Sequence, residues 1–152
     1  MSLWDFAVEA YAWPDVEAAC LELQDRYGQS VPLLMWGLWV ISQRHPLGPK
    51  AVRQGVNLAR SWEQTVVGPL RQVRRTLKTS IDRIGAARQL ELRHCVSEAE
   101  LHAERVLFDA LADLASAAAG AGPTLKGLDP LVKAWGQPAP AALLGVLTRS
   151  AQ

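Results

Sequence analysis

Four cations of this chain fall on one side of a helix. Arg71, Arg74, Arg75 and Lys78 stand at i, i+3, i+4 and i+7, the spacing that brings side chains of successive turns together. Within roughly 11 Å of helix axis they repel one another unless something negative covers them. Phosphate, nucleic acid, an acidic partner or the chain's own acidic helices could each do so. Arg53 and Arg60, seven residues apart, add a second row upstream. Neither row is accompanied by stacking aromatics or a recognised nucleic-acid motif, which argues against specific readout of nucleic acid.

A second constellation has metal-ligand residue types. Glu91 and His94 show the Glu-x-x-His spacing of helical di-iron sites, and Glu98 with His102 adds a pair four apart on nearly the same face. Such a site needs matching ligands from other helices, yet the chain holds just one further histidine, His45, and no second Glu-x-x-His. These four are weak metal candidates beside the reading of a plain polar face, and no metal or other cofactor is expected. Trp4, Trp13 and Trp62 could close a ligand pocket between helices, since a buried indole N–H seeks a partner. Cys20 and Cys95 sit in apolar helical patterns far apart, without a CxxC, and read as buried reduced thiols. No base is placed beside either cysteine, and neither a phosphate loop nor a serine elbow is present, so a conventional small enzyme is not expected.

The elements that must position these groups begin with Val31 to Ile41, VPLLMWGLWVI, eleven residues without a charge. They rise about 16 Å as a helix, half of a ~30 Å hydrocarbon core, and are apolar on every face. This predicts a buried central helix over about 30–44 with amphipathic helices around it. Ser2 and Asp5 set up a capping box for a first helix ending near Tyr11. Pro14 opens a second, with Val16, Ala19, Cys20, Leu23 and Tyr27 at 3-4-3-4 spacing and Gly28 as its stop. A helical region from about Lys50 to Thr79 is interrupted at Gly68-Pro69 by a bend or a break. Beyond it Leu70, Val73, Leu77, Ile81 and Ile84 recur as a core stripe. The next helix, from about Ala86 to Ala119, would face inward with Leu92, Cys95, Ala99, Val106, Ala110 and Leu114.

No strand alternation or repeat is visible; the fold class is all-α, a single-domain helical bundle. Its body is residues 1–119. The Ala/Gly/Pro-rich segment 120–152 carries short helices near Pro130–Trp135 and Ala139–Leu147, packed on the same domain. The net charge of +1 hides an asymmetry. Residues 1–43 hold six acids and one base, residues 44–93 eleven bases and three acids, and residues 94–152 six acids and four bases. Such blocks imply internal pairing of acidic on basic layers or an exposed basic face.

Three stretches carry a family resemblance. The first is Trp4, Tyr11 and Val16 with ACLELQDRYG (Ala19 to Gly28), leading into Val31, Leu33, Leu34 and Trp39. The second is Trp62 followed by VVGPLRQVRRTLK, Val66 to Lys78. The third is ELHAER, Glu100 to Arg105. On these residues, over about 4–107, the chain resembles an uncharacterised proteobacterial family of small helical proteins, catalogued as a domain of unknown function. Pro32 stands where members often have asparagine, a change compatible with a helix start. The resemblance implies a bacterial cytoplasmic helical protein and no particular activity, ligand or catalytic residue.

The expected function is a non-enzymatic helical adaptor or regulatory protein binding an anionic or protein partner through the basic helix face. Arg71, Arg74, Arg75 and Lys78 should then be exposed. The alternative is a small-molecule binder or enzyme with a tryptophan-lined pocket, metal-assisted at Glu91, His94, Glu98 and His102. A homodimer is compatible with either. The N-terminus carries Asp5 and Glu9 and no base before an apolar run, so no secretory signal or membrane span is expected, and the compartment is the cytoplasm.

Overall fold

Ten consecutive residues, Val31 to Val40, are buried and make the first turns of a central helix, α3 (Val31–Ser42). The computed structural model describes residues 1–117 and 125–151. Ser30 caps α3, its hydroxyl accepting from the Leu33 N–H at 3.4 Å, and Pro32 occupies the first turn, where no donor is missed. Such a helix needs neighbours on all sides, and the order of elements supplies them. α1 (Leu3–Tyr11) and α2 (Val16–Asp25) precede it; α4 (Pro49–Trp62), α5 (Gly68–Thr76), α6 (Ala86–Ala117), α7 (Asp129–Trp135) and α8 (Ala141–Ser150) follow. No strand occurs among the described residues, and the fold is all-α. No described helix is long and apolar enough to cross a membrane.

Local signals place α1 as expected, whereas α2 opens at Val16 and not at Pro14, because Asp15 takes a left-handed φ of +67° and holds Pro14 in the preceding turn. The Ser2 hydroxyl accepts from the Asp5 N–H at 3.1 Å, closing the N-terminus of α1. Leu3, Phe6, Ala7 and Ala10 are its buried face. After α2, Gly28 takes φ +62°, which only glycine adopts without strain. Two glycines serve close approach. A Cβ on Gly37 of α3 would collide with Leu131 of α7, and one on Gly55 of α4 would lie 2.5 Å from the indole of Trp36. The C-terminal helices belong to the same core: Leu131 of α7 packs beside α3, and Leu144 and Leu147 of α8 are buried in the cluster that includes Leu23 of α2.

Two expectations change. Gly68-Pro69 does not break the helix. α4 runs through a single π turn, Glu63–Val67, directly into α5, and the Gly68 N–H donates to the Glu63 carbonyl five residues back. The wider turn tolerates the donor that Pro69 lacks. The hairpin of α5 and α6 also faces the other way from the periodic reading. Val73, Ile81 and Ile84 are exposed, as are Leu92, Cys95, Ala99 and Val106, while Leu70, Leu77, Ala110 and Leu114 are half-buried. The buried sides carry Arg71 and Val67 on one limb and Gln89, Glu100, Ala103, Leu107, Phe108 and Leu111 on the other. Period reveals that a helix has an apolar face, not which face receives a neighbour. Here ion pairing decided. Gln89 ties the hairpin's turn, accepting from the Ile81 N–H at 2.9 Å and donating to the carbonyls of Leu77 (2.9 Å) and Thr79 (2.5 Å).

Candidate functional site

The sequence's basic stripe lies along α5, and three of its four cations meet carboxylates of the same chain. Arg71, buried, is the centre. Its Nη1 reaches Glu63 Oε1 at 2.6 Å, Nε reaches Glu100 Oε1 at 3.1 Å, and Nη2 reaches Glu104 Oε1 at 3.4 Å. Arg74 Nε reaches Glu100 Oε2 at 2.5 Å, and the more exposed Arg75 reaches Asp25 of α2 at 2.9 Å. Glu63 opens the π turn and meets Arg71 eight residues on along the same continuous helix. Burial alone would lower the Arg71 pKa, yet Glu63 and Glu100 more than offset it and the guanidinium is held more firmly protonated. Glu104 behaves oppositely: burial raises its pKa, and Arg71 only partly opposes that. The expectation of an exposed stripe is therefore corrected for Arg71, which faces inward among three carboxylates, and for Arg74, half-buried against Glu100. Lys78 is exposed and in no ion pair among the described residues.

The second row has different surroundings. Arg53 and Arg60, both exposed on α4, look over a cleft of about 850 Å³ between α4 and α7. Its floor includes Leu47, Val52, Val56 and Leu125, all buried, and its other rim carries Lys126 and Lys133. Among the described residues no carboxylate lines it. Among the described residues none of these four cations is in an ion pair. Arg60 is held in place: its Nη2 donates to the Trp135 carbonyl at 2.8 Å, and its guanidinium lies 5.2 Å from the centroid of that indole. The arrangement can hold an anion next to apolar surface. Lys126 and Lys133 were missed in the sequence because they fall in the alanine- and glycine-rich tail. Their seven-residue spacing, matching that of Arg53 and Arg60, was the available signal.

A family model described as a protein of unknown function, DUF2390, matches residues 2–111. The chain belongs to the DUF2390 family. No curated protein and no solved structure matches it. The matched span covers the Arg71 cluster, Arg53 and Arg60; Lys126 and Lys133 lie beyond it.

The other candidates of this DUF2390 chain do not assemble. Trp4 lies edge-on to Phe108, centroids 5.8 Å apart, and lines a cleft of about 320 Å³ with Tyr11, Gln24 and Glu104. Trp13 is more than half exposed, and Trp62 donates to the Ala103 carbonyl at 2.8 Å; neither lines that cleft. Glu91, His94, Glu98 and His102 are all exposed on α6, with His94 and Glu98 3.9 Å apart. Among the described residues no three His, Cys, Asp or Glu groups are placed to share a metal. The expectation of two buried thiols holds for Cys20 and is corrected for Cys95, which is exposed because its side of α6 has no neighbour. Burial pushes the Cys20 thiol up to about 11, far from a nucleophile at neutral pH.

Proposed function

We propose that this protein is a non-enzymatic helical adaptor or regulatory module that binds an anionic partner at the cleft between α4 and α7. The observation that carries the reading is four cations, Arg53, Arg60, Lys126 and Lys133, around an apolar floor, with no lining carboxylate among the described residues. On α5, by contrast, Arg71, Arg74 and Arg75 are met by acids of the chain itself. An external anion covering the cleft would lower the repulsion among the four cations and cover the apolar floor in one event. The binding face of this reading is the upstream row, with Lys78 at most a peripheral contributor.

Affinity capture from native lysate tests it, wild type beside Arg53→Glu/Arg60→Glu, at low and moderate salt. A partner retained by the wild type should be lost from the variant and weakened by salt. Both arginines are exposed, and the one tie lost, that of Arg60 to Trp135, lies at the surface, so Tm should fall by no more than a few degrees. Retention indifferent to the reversal would refute the reading.

A second reading, a small-molecule site, is favoured by the cleft beside Trp4. Its expected result is a compound that co-purifies in native mass spectrometry and departs on Trp4→Ala. Absence of any bound compound from the wild type would remove it.

A further inference from the structure

We infer that the occupant of the α4–α7 cleft is an amphipathic helix of another protein, its apolar stripe on the floor and acidic residues on both sides. The inference rests on the cleft being the binding face and goes further by naming the partner's chemistry. The cleft has two cationic rails. On one, Arg53 and Arg60 stand seven residues apart on α4, about 10.5 Å along the axis. On the other are Lys126, in the segment before α7, and Lys133, on α7. Between the rails lie Leu47, Val52, Val56 and Leu125.

That layout selects among anions. A single carboxylate or phosphate engages one or two of the cations and leaves the others repelling. A nucleic-acid strand makes use of stacking surfaces, and among the described residues no aromatic side chain lines the cleft. A polyphosphate leaves the apolar floor uncovered. A helix with apolar residues at i, i+3 or i+4, and i+7 advances the same two turns as α4 between Arg53 and Arg60. Acids flanking such a stripe then meet both rails. The volume, about 850 Å³, lies within the range of preformed binding sites and admits several side chains. Arg60, fixed against Trp135, is ordered before binding, which reduces the entropy lost on association. The competing occupant is a second copy of this chain, whose α2 exposes Leu21 near Glu17, Glu22 and Asp25.

The test pans the full chain against an unbiased displayed library of random peptides long enough for about four helical turns. Enriched sequences should carry apolar residues at helical spacing with acids on both flanks, and should gain helical circular dichroism on binding. Arg53→Ala/Lys133→Ala should weaken them by about tenfold or more. Acidic winners without that periodicity, still weakened by the substitutions, would leave the anionic face standing and overturn the helical partner. Winners without acids, winners indifferent to the substitutions, or no enrichment would also overturn it, and the lysate capture then judges the parent reading separately. Sedimentation equilibrium completes the test. Self-association abolished by Arg53→Ala/Lys133→Ala would assign the cleft to a second copy and overturn the proposal; a monomer in both forms supports it.

Discussion

Arg71→Ala should lower the free energy of unfolding by about 3 kcal/mol or more at neutral pH, and Tm by roughly 10 °C. The reason is what stays behind. Glu63, Glu100 and Glu104 converge on one guanidinium whose side chain is 11% exposed, and removing it leaves three carboxylates close together with Arg74 as the remaining cation on Glu100. A buried pair broken from one side costs far more than the pair contributes, because the surviving charge has lost both water and partner. Arg71→Lys should recover only part of the loss. A lysine has a point charge where the site presents three acceptors matched to a planar fork.

The pH dependence fixes the mechanism. Without Arg71 nothing opposes the effect of burial on Glu104, so its folded-state pKa rises further above the unfolded one and the native state binds more protons than the unfolded chain. Stability contributed in that sense is present at low pH and lost as pH rises through the raised values. The deficit of Arg71→Ala against wild type should therefore shrink between neutral pH and about pH 5. Glu104 of the wild type, already raised by burial, shifts in the same direction but less, since Arg71 opposes it. Chemical denaturation at both pH values measures this. A deficit that stays constant would mean the arginine stabilises through packing of its stem alone.

The sequence made the central helix legible because eleven uncharged residues admit one placement. Capping at Ser2 and Ser30 was equally readable, since a cap is settled by residues within one turn. The α5–α6 hairpin was not. Its apolar stripes are real, but Val73, Ile81 and Leu92 point to solvent, and the face that Arg71 shares with α6 carries Glu100 and Glu104, which lie 29 and 33 residues away. No local period carries that information. The π turn was hidden for a related reason: Gly68-Pro69 signals that an α-helical register must change without saying how. At the candidate site the arginine rows were visible as rows. Which row would be neutralised from within depended on the same distant carboxylates, and the opposite rail, Lys126 and Lys133, was masked by the composition of its segment.

Gly55→Ala should destabilise the protein by about 2 kcal/mol and lower Tm by roughly 4–8 °C, although alanine is the better helix former. Two effects compete. In an exposed helix interior the exchange gains about 1 kcal/mol, because glycine loses more backbone freedom on folding. At this position the new Cβ would lie 2.5 and 2.7 Å from Cζ3 and Cη2 of Trp36, about 1 Å inside an ordinary carbon contact. The ring cannot swing clear, since Trp36 is fully buried in the middle of α3. Relief must come from separating α3 from α4, and overpacking of this kind costs about 1–3 kcal/mol. We place it at the upper end because two rigid elements are forced apart. The clash also makes the loss conditional on the indole. In a Trp36→Leu background, itself destabilised by a cavity, adding Gly55→Ala should cost little, giving a coupling of about 1–2 kcal/mol between the two sites. A stabilising Gly55→Ala, or losses that simply add, would show that α3 and α4 do not meet at this glycine. The packing of the central helix against the helix that carries Arg53 and Arg60 would then need to be redrawn.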